Sequence, residues 1–489
     1  MKYFSTRNDR QSYSAAQAIA MGIAPDGGLF VPSEIPALSL ERIGALAGLD
    51  YRARAVELMK LYLDEFTRDE LDRFACAAYG EKFDDPAVAP TRFADENTAF
   101  LELWHGPTCA FKDMALQMLP HLLTASLEKT GERRQVCILV ATSGDTGKAA
   151  LEGFRDVGRT RIFVYYPDGG VSRIQRLQMV TQAGGNVGVS AVRGNFDDAQ
   201  TGVKRIFADR AFAETLSARG WFLSSANSIN WGRLLPQIVY YFSAYCDYVT
   251  SGRIALGDKI NFCVPTGNFG NILAGVYARC MGLPVRRFIC ASNANNVLTD
   301  FINTGVYDRN RPFHTTISPS MDILVSSNLE RLLYMLTGDT ETRGYMERLN
   351  SEGRYTVGEG ALAGIREIFS AGFCDDAATK CAISGTFARG GYLMDTHTAV
   401  AAKVLEDYRA ASGDMAPAVI VSTASPFKFA ADVLDALGGA ASGDPLAALS
   451  SRSGLAVPAP LRGLETRELR FPGVTEKGGM LALVDDFLR

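Results

Sequence analysis

The sequence predicts an α/β protein in which a mainly helical N-terminal domain, residues 1–95, precedes a larger region, residues 96–489, built on parallel-rich sheets. Three observations carry this. Before residue 80 the apolar residues recur at helical spacing; after residue 96 short apolar runs alternate with helical stretches; and several of those runs end in a Gly/Ser/Thr/Asn-rich loop that leads into a helix, which is the strand–loop–helix texture of a sheet with crossover connections.

Taken in order, residues 4–79 read as helical, interrupted at 24–32 by APDGGLFVP, where Pro25, Gly27 and Gly28 supply turn backbone. The polar, Pro-containing stretch 81–96 marks the domain boundary. Strands are expected at 99–103, 136–140, 162–166, 221–223, 260–264, 288–291 and 418–421, with helices at 114–123, from about 148, and at 272–279. Residues of about 110–235 form a small α/β subdomain and the remainder of 96–489 a large one; 438–454, rich in Gly, Ala and Ser, reads as a flexible connection. There is no internal repeat.

Composition narrows the function classes. A chain of 489 residues is too long for one simple core. With 50 Lys and Arg against 54 Asp and Glu it lacks the basic footprint of a nucleic-acid binder, and it has no polybasic run for a membrane surface. Nine cysteines without a CxxC pair point to a reduced, cytoplasmic protein. The opening MKYFSTRNDR has no apolar signal core, and the uncharged stretch 260–278 contains Pro265, three Asn and three Gly, a poor composition for hydrocarbon. The expectation is therefore a small-molecule partner, no nucleic acid, no membrane, and a monomer or homodimer.

Five stretches offer chemistry. TGNFGN (266–271) follows an apolar run and precedes a helix; its glycines let the backbone approach an anion, and the helix start offers unpaired N–H groups. By itself this is more often a plain turn. TSGDTG (142–147) has the same position but fails the Walker pattern, because Thr142 stands where a Gly is needed and Ala149 replaces Ser/Thr. Its hydroxyls and amides suit a carboxylate or a phosphate. WHGPTCAFKD (104–113) places Lys112 beside Phe111 after a Gly-Pro turn. A loop lysine is ordinarily a solvated surface residue, but one in an apolar pocket loses its proton readily and becomes a nucleophile and base. SSANSINWGR (224–233) carries Arg233, suited to bidentate anion binding, and STASPFK (422–428) offers hydroxyls; capping and turn formation compete for both. Gly358 and Gly360 lack a third glycine at dinucleotide spacing, the four histidines lack ligand spacing, so no metal is expected, and there is no GxSxG elbow.

In their order, HGPTCAFKD, ATSGDTG, NSINWGR, PTGNFGN and STASPFKF, together with MGIAPDGGLFVP near the start, resemble threonine synthases of the bacterial and fungal type over residues of about 3–430. The resemblance implies a fold type II enzyme of pyridoxal 5′-phosphate (PLP), with two α/β domains, that makes L-threonine and phosphate from O-phospho-L-homoserine and water. It implies Lys112 as the catalytic, cofactor-bearing Schiff-base lysine; Gly267, Asn268, Phe269, Gly270 and Asn271 around the cofactor phosphate; Asp145 near its phenolic oxygen; and Thr423 at its ring nitrogen. Thr142, Ser143 and Thr146 would hold the substrate carboxylate, and Asn227, Ser228 and Arg233 the rest of the substrate, its phosphate included. Ser172, Arg173 and Arg176 lie in a loop of similar character. Two positions depart from the family: Ser425 stands where a His is usual, and Thr396 where a Pro often precedes His397. A hydroxyamino-acid dehydratase or β-replacing synthase of the same fold, or a binding protein that has lost the chemistry, remain the alternatives.

Overall fold

The apolar runs pair into two parallel-rich sheets. The computed structural model describes residues 1–439 and 443–489. In the strand Gln135–Ala141 every residue from Val136 to Val140 is buried, the pattern of a strand covered on both faces. It belongs to an all-parallel sheet ordered Val474–Thr475, Val187–Val192, Thr160–Pro167, Gln135–Ala141, Trp221–Ser224. A second sheet runs Phe369–Phe373, Val285–Ser292, Ile260–Pro265, Ala418–Ser422, Thr98–Glu102, Thr91–Phe93, and only its last pairing is antiparallel.

Strand order positions the site. Ile260–Pro265, Ala418–Ser422 and Thr98–Glu102 are adjacent and parallel, so the loops after them, at 266–271, 423–428 and 104–112, leave the same edge of the sheet. The last two are stitched together by an antiparallel bridge between Ala110 and Ala424 and by Phe111 N–H donating to the Thr423 carbonyl at 2.8 Å. The loops at 142–144 and 225–230 leave the corresponding edge of the five-stranded sheet.

Several expectations change. The N-terminal segment has helices Ala15–Met21, Leu40–Leu46, Tyr51–Lys60 and Arg68–Ala78, but also an antiparallel sheet of Asn8–Tyr13, Tyr3–Ser5 and Phe30–Pro32. These strands are three to six residues long and one is exposed over most of its length, too short and too polar to register an alternating pattern. Thr91–Phe93, before residue 96, joins the six-stranded sheet, and Val474–Thr475, far from 110–235, joins the five-stranded one. The helix expected at 114–123 is two helices, Asp113–Leu116 and Leu119–Lys129, with Pro120 in the first turn of the second, where its missing N–H is harmless. Of the expected flexible stretch 438–454, residues 440–442 lie outside the described residues, and Pro445–Ser453 is a helix capped by Asp444 and closed by Gly454 at φ 75°.

The N-terminal segment backs the site. Trp231 is fully buried and packs edge-on against Tyr3 and Tyr277, with Tyr62 tilted against it. Asn230 donates to the Ile19 carbonyl at 3.0 Å, and Arg331 donates to the carbonyls of Phe30 (2.9 Å) and Ile229 (2.6 Å). The turn at 24–32 and the loop ahead of Arg233 are thus tied together. No helix among the described residues is long and apolar enough to cross a membrane.

Candidate active site

Lys112 lies at the start of the helix Asp113–Leu116, 9% exposed, with Nζ 4.6 Å from the centre of the Phe111 ring. Among the described residues no hydrogen bond or ion pair engages Nζ. Burial lowers its pKa to about 8; Asp145 opposes the shift, while Arg233 and Lys428 reinforce it. An amine so placed is partly unprotonated near neutral pH and can act as nucleophile or base. Its loop is rigid. The Asp113 carboxylate accepts from the Thr108 N–H and hydroxyl, both at 2.8 Å, and Ser425 N–H donates to the Cys109 carbonyl at 3.0 Å.

His105 anchors the other end of this loop, bonded to Asp84 at 2.6 Å and Glu102 at 3.0 Å. Burial acts to lower its pKa, but the two carboxylates prevail and hold it at about 9. A raised histidine pKa stabilises the fold fully below the unfolded value, about 6.5, and that contribution is lost as pH rises through about 9. The difference in melting temperature between the native protein and His105→Gln is therefore expected to be largest below pH 6.5 and to shrink towards pH 9; a pH-independent difference refutes the ion pairs.

The loop 266–271 has the geometry of an anion cradle. Phe269 adopts left-handed backbone (φ 64°) and gives the helix Gly270–Cys280 no side-chain cap, which leaves N–H groups of its first turn without a side-chain acceptor among the described residues. The side chain of Asn271 accepts from Tyr240 and Tyr241, each at 2.8 Å, while its buried Nδ2 has no partner. Asn268 is exposed, and its carbonyl accepts from Asn328 N–H and Nδ2, both at 3.1 Å. A Cβ on Gly267 would lie 2.7 Å from the Ser320 carbonyl oxygen. Since backbone would have to move, Gly267→Ala is expected to destabilise the protein by roughly 1–3 kcal/mol; unchanged thermal stability would show that the loop has slack.

In the loop after Gln135–Ala141, Thr142 is buried and its hydroxyl oxygen accepts from the N–H groups of Gly144 (3.0 Å) and Gly147 (2.9 Å), so it holds the loop's shape. Ser143 and Thr146 are half-buried, and no hydrogen bond occupies their hydroxyls among the described residues. Asp145 is buried and ion-paired with Lys428 at 2.8 Å; burial pushes its pKa up, but Lys428 and Lys112 pull harder and hold it below the usual carboxylate range. Thr423 is buried beside the Lys112 loop; its N–H donates to the Thr398 hydroxyl at 3.3 Å, and its own hydroxyl makes no hydrogen bond among the described residues.

Arg233 is 4% exposed, donates once to the Ala226 carbonyl at 2.7 Å, and leaves Nε buried without a partner. No carboxylate pairs with it among the described residues, and burial lowers its pKa to about 10. A buried guanidinium left in that state is expensive unless an anion completes it. Ser228 lies against the Gly270 turn, its Cβ 3.8 Å from where a Cβ on Gly270 would stand, and Asn227 is exposed. By contrast Ser172 caps the helix Arg173–Val180, and Arg173, largely exposed, pairs with Glu465 at 2.8 Å.

Three residues take parts that the sequence reading did not assign them. Lys428, fully buried, was part of a quoted motif read only for its hydroxyls. His397 accepts from Ser320 N–H at 3.1 Å through Nε2 while Nδ1 donates to Asp395 at 2.9 Å, fixing the loop over Gly267. Ser425, where a His was expected, caps the turn Pro426–Phe429 by accepting from Phe427 N–H at 3.3 Å. Among the described residues no three His, Cys, Asp or Glu side chains converge to hold a metal.

Family models match three successive stretches: threonine synthase N terminus over 2–79, pyridoxal-phosphate dependent enzyme over 96–383, and threonine synthase C-terminal over 398–486. The human protein "Threonine synthase-like 1" is 43% identical over 435 residues, covering 86% of this chain and 58% of that protein; the chain thus spans little more than half the length of that relative. Threonine synthase of Pseudomonas aeruginosa is 40% identical, with 88% of this chain and 89% of that protein covered. The crystal structure of PLP-bound threonine synthase from Brucella melitensis superposes with a TM-score of 0.87 at 38% identity, covering 100% of this chain and 98% of that one.

Proposed function

Because the chain belongs to the threonine synthase family of pyridoxal-phosphate-dependent enzymes, we propose that it converts O-phospho-L-homoserine and water to L-threonine and phosphate. The observation that carries this reading is that a buried lysine and a buried arginine lie near enough to act on each other electrostatically, the first without a hydrogen bond or ion pair and the second without a carboxylate partner among the described residues. An amine suits proton transfer, and an unsatisfied guanidinium suits a phosphate that both anchors the substrate and leaves.

The residues fit PLP. The uncapped helix start and the orphaned Asn271 Nδ2 suit its phosphate, Lys112 suits its attachment, and Thr423 offers the ring nitrogen a neutral hydroxyl. When bound, the cofactor supplies an electron sink for negative charge beside the substrate's amino carbon. The rest falls to the chain. Ser143, Thr146 and the amides of their loop bind the substrate carboxylate, with Thr142 shaping the loop. Lys112, a buried amine with a lowered pKa, would take a proton at Cα and then one at Cβ. Arg233, with Asn227 and Ser228, orients the phosphate so that the Cγ–O bond breaks towards a waiting positive charge. A water molecule then adds its hydroxyl at Cβ, and protons return to Cα and Cγ. All nine cysteines are free thiols, which supports a reducing cytoplasmic setting.

The test is purified enzyme with PLP and O-phospho-L-homoserine, following phosphate and threonine together. Equal release of both is expected. Phosphate without threonine, or ammonia from serine with no phosphate from phosphohomoserine, would assign the chain to elimination chemistry instead.

A further inference from the structure

Lys428 is the most deeply buried cation near the site, with 0% exposure, and the proton transfers above do not use it. Its ammonium meets three acceptors: Asp145 Oδ1 at 2.8 Å, the Thr108 carbonyl at 2.9 Å and Gln178 Oε1 at 3.0 Å. A neutral amine has two N–H donors; three acceptors at bonding distance require three. Lys428 is therefore held as a cation by geometry, and its acceptors come from three segments: the loop that carries Lys112, the helix Asp145–Phe154, and the helix Arg173–Val180.

Asp145 is the shared counter-ion. Its Oδ1 takes Lys428 and Gln175 Nε2 (3.0 Å), while among the described residues Oδ2 has only the Ser320 hydroxyl at 3.4 Å. The charged groups that act on Lys112 are Asp145 and Asp113, which favour its protonated form, and Arg233 and Lys428, which oppose it. Asp113 is already engaged by Thr108. Asp145 is thus the one carboxylate whose allegiance can change.

We propose that Lys428 is a positioning residue: as a fixed cation it claims the Asp145 carboxylate and so denies Lys112 a counter-ion, keeping the Lys112 amine available for chemistry. Without Lys428, a buried Asp145 would have Lys112 as its remaining cation, and the two would lock as an ion pair. The inference rests on Lys112 being the working amine. Its test needs neither substrate nor cofactor, so it can fail while the proposed reaction stands, and the reverse.

The experiment measures the pH midpoint for acetylation of Lys112 by acetic anhydride in cofactor-free protein, read by mass spectrometry of the peptide that contains it. Lys428→Met is expected to raise the midpoint by about one unit or more, the scale for a new close ion pair. Lys428→Arg, which keeps the charge, should leave it near the native value. Asp145→Asn should lower it. A midpoint in Lys428→Met that is unchanged or lower, or one in Lys428→Arg that rises as far as in the Met variant, overturns the proposal. Should Lys428→Met fail to fold by circular dichroism, Asp145→Asn decides: a midpoint that stays or rises is equally fatal.

Discussion

Alanine at position 112 is expected to reduce turnover by at least about 10³-fold, because in the proposed reaction one side chain would both carry the cofactor and move the protons, and loss of a positioned proton carrier alone is of order 10²–10⁴. The protein should still fold. The side chain is 9% exposed and makes no hydrogen bond among the described residues, and burial disfavours its charge, so its removal relieves desolvation while losing some packing against Phe111. The check is steady-state phosphate release alongside a thermal melt. A melting temperature close to native with turnover abolished is the expected pair; native-rate threonine formation by the variant would remove Lys112 from the chemistry altogether.

Arginine 233 gives the second large effect. Arg233→Ala is expected to raise KM for O-phospho-L-homoserine and to lower kcat/KM by about 1–3 kcal/mol, the scale of a charge-assisted hydrogen bond. Inhibition by inorganic phosphate should weaken in parallel, since in the proposed reaction product and leaving group would share the contact. Stability should move the other way. The native guanidinium has a buried, unpartnered Nε and a single carbonyl acceptor, so deleting it removes an unpaid desolvation cost, and the melting temperature should hold or rise. Activity lost with stability kept is the signature of a residue retained for its ligand. Arg233→Lys should recover little, because an ammonium cannot present two parallel N–H groups to a phosphate. Near-native kinetics in the alanine variant would move the phosphate elsewhere.

How much of this was legible in the sequence depended on how far each feature reached along the chain. Strands such as Gln135–Ala141 and Ile260–Pro265 announce themselves because a strand covered on both faces is a continuous apolar run. Lys112 and Gly267 were visible because each lies in a loop after such a run, and Arg233 because it ends a polar motif that follows the short strand Trp221–Ser224. The antiparallel strands Tyr3–Ser5 and Asn8–Tyr13 were not, because what makes them strands is pairing with each other and with Phe30–Pro32, a contact across about 25 residues that local composition does not encode. Lys428 was missed for a related reason. A lysine between two phenylalanines looks like any partly covered surface lysine until the fold brings Asp145 to within 2.8 Å across 283 positions of sequence. The same holds for His397, whose partner Ser320 is 77 residues away. Sequence motifs named the loops; the fold alone showed which charges in them are spent and which are free.

The account stands or falls on where the cofactor is attached. Enzyme loaded with PLP, reduced with borohydride, digested and analysed by mass spectrometry should carry the added cofactor mass on the peptide containing Lys112 and on no other. Modification centred on Lys148 or Lys428, or loaded enzyme that yields no reducible adduct at all, would contradict it.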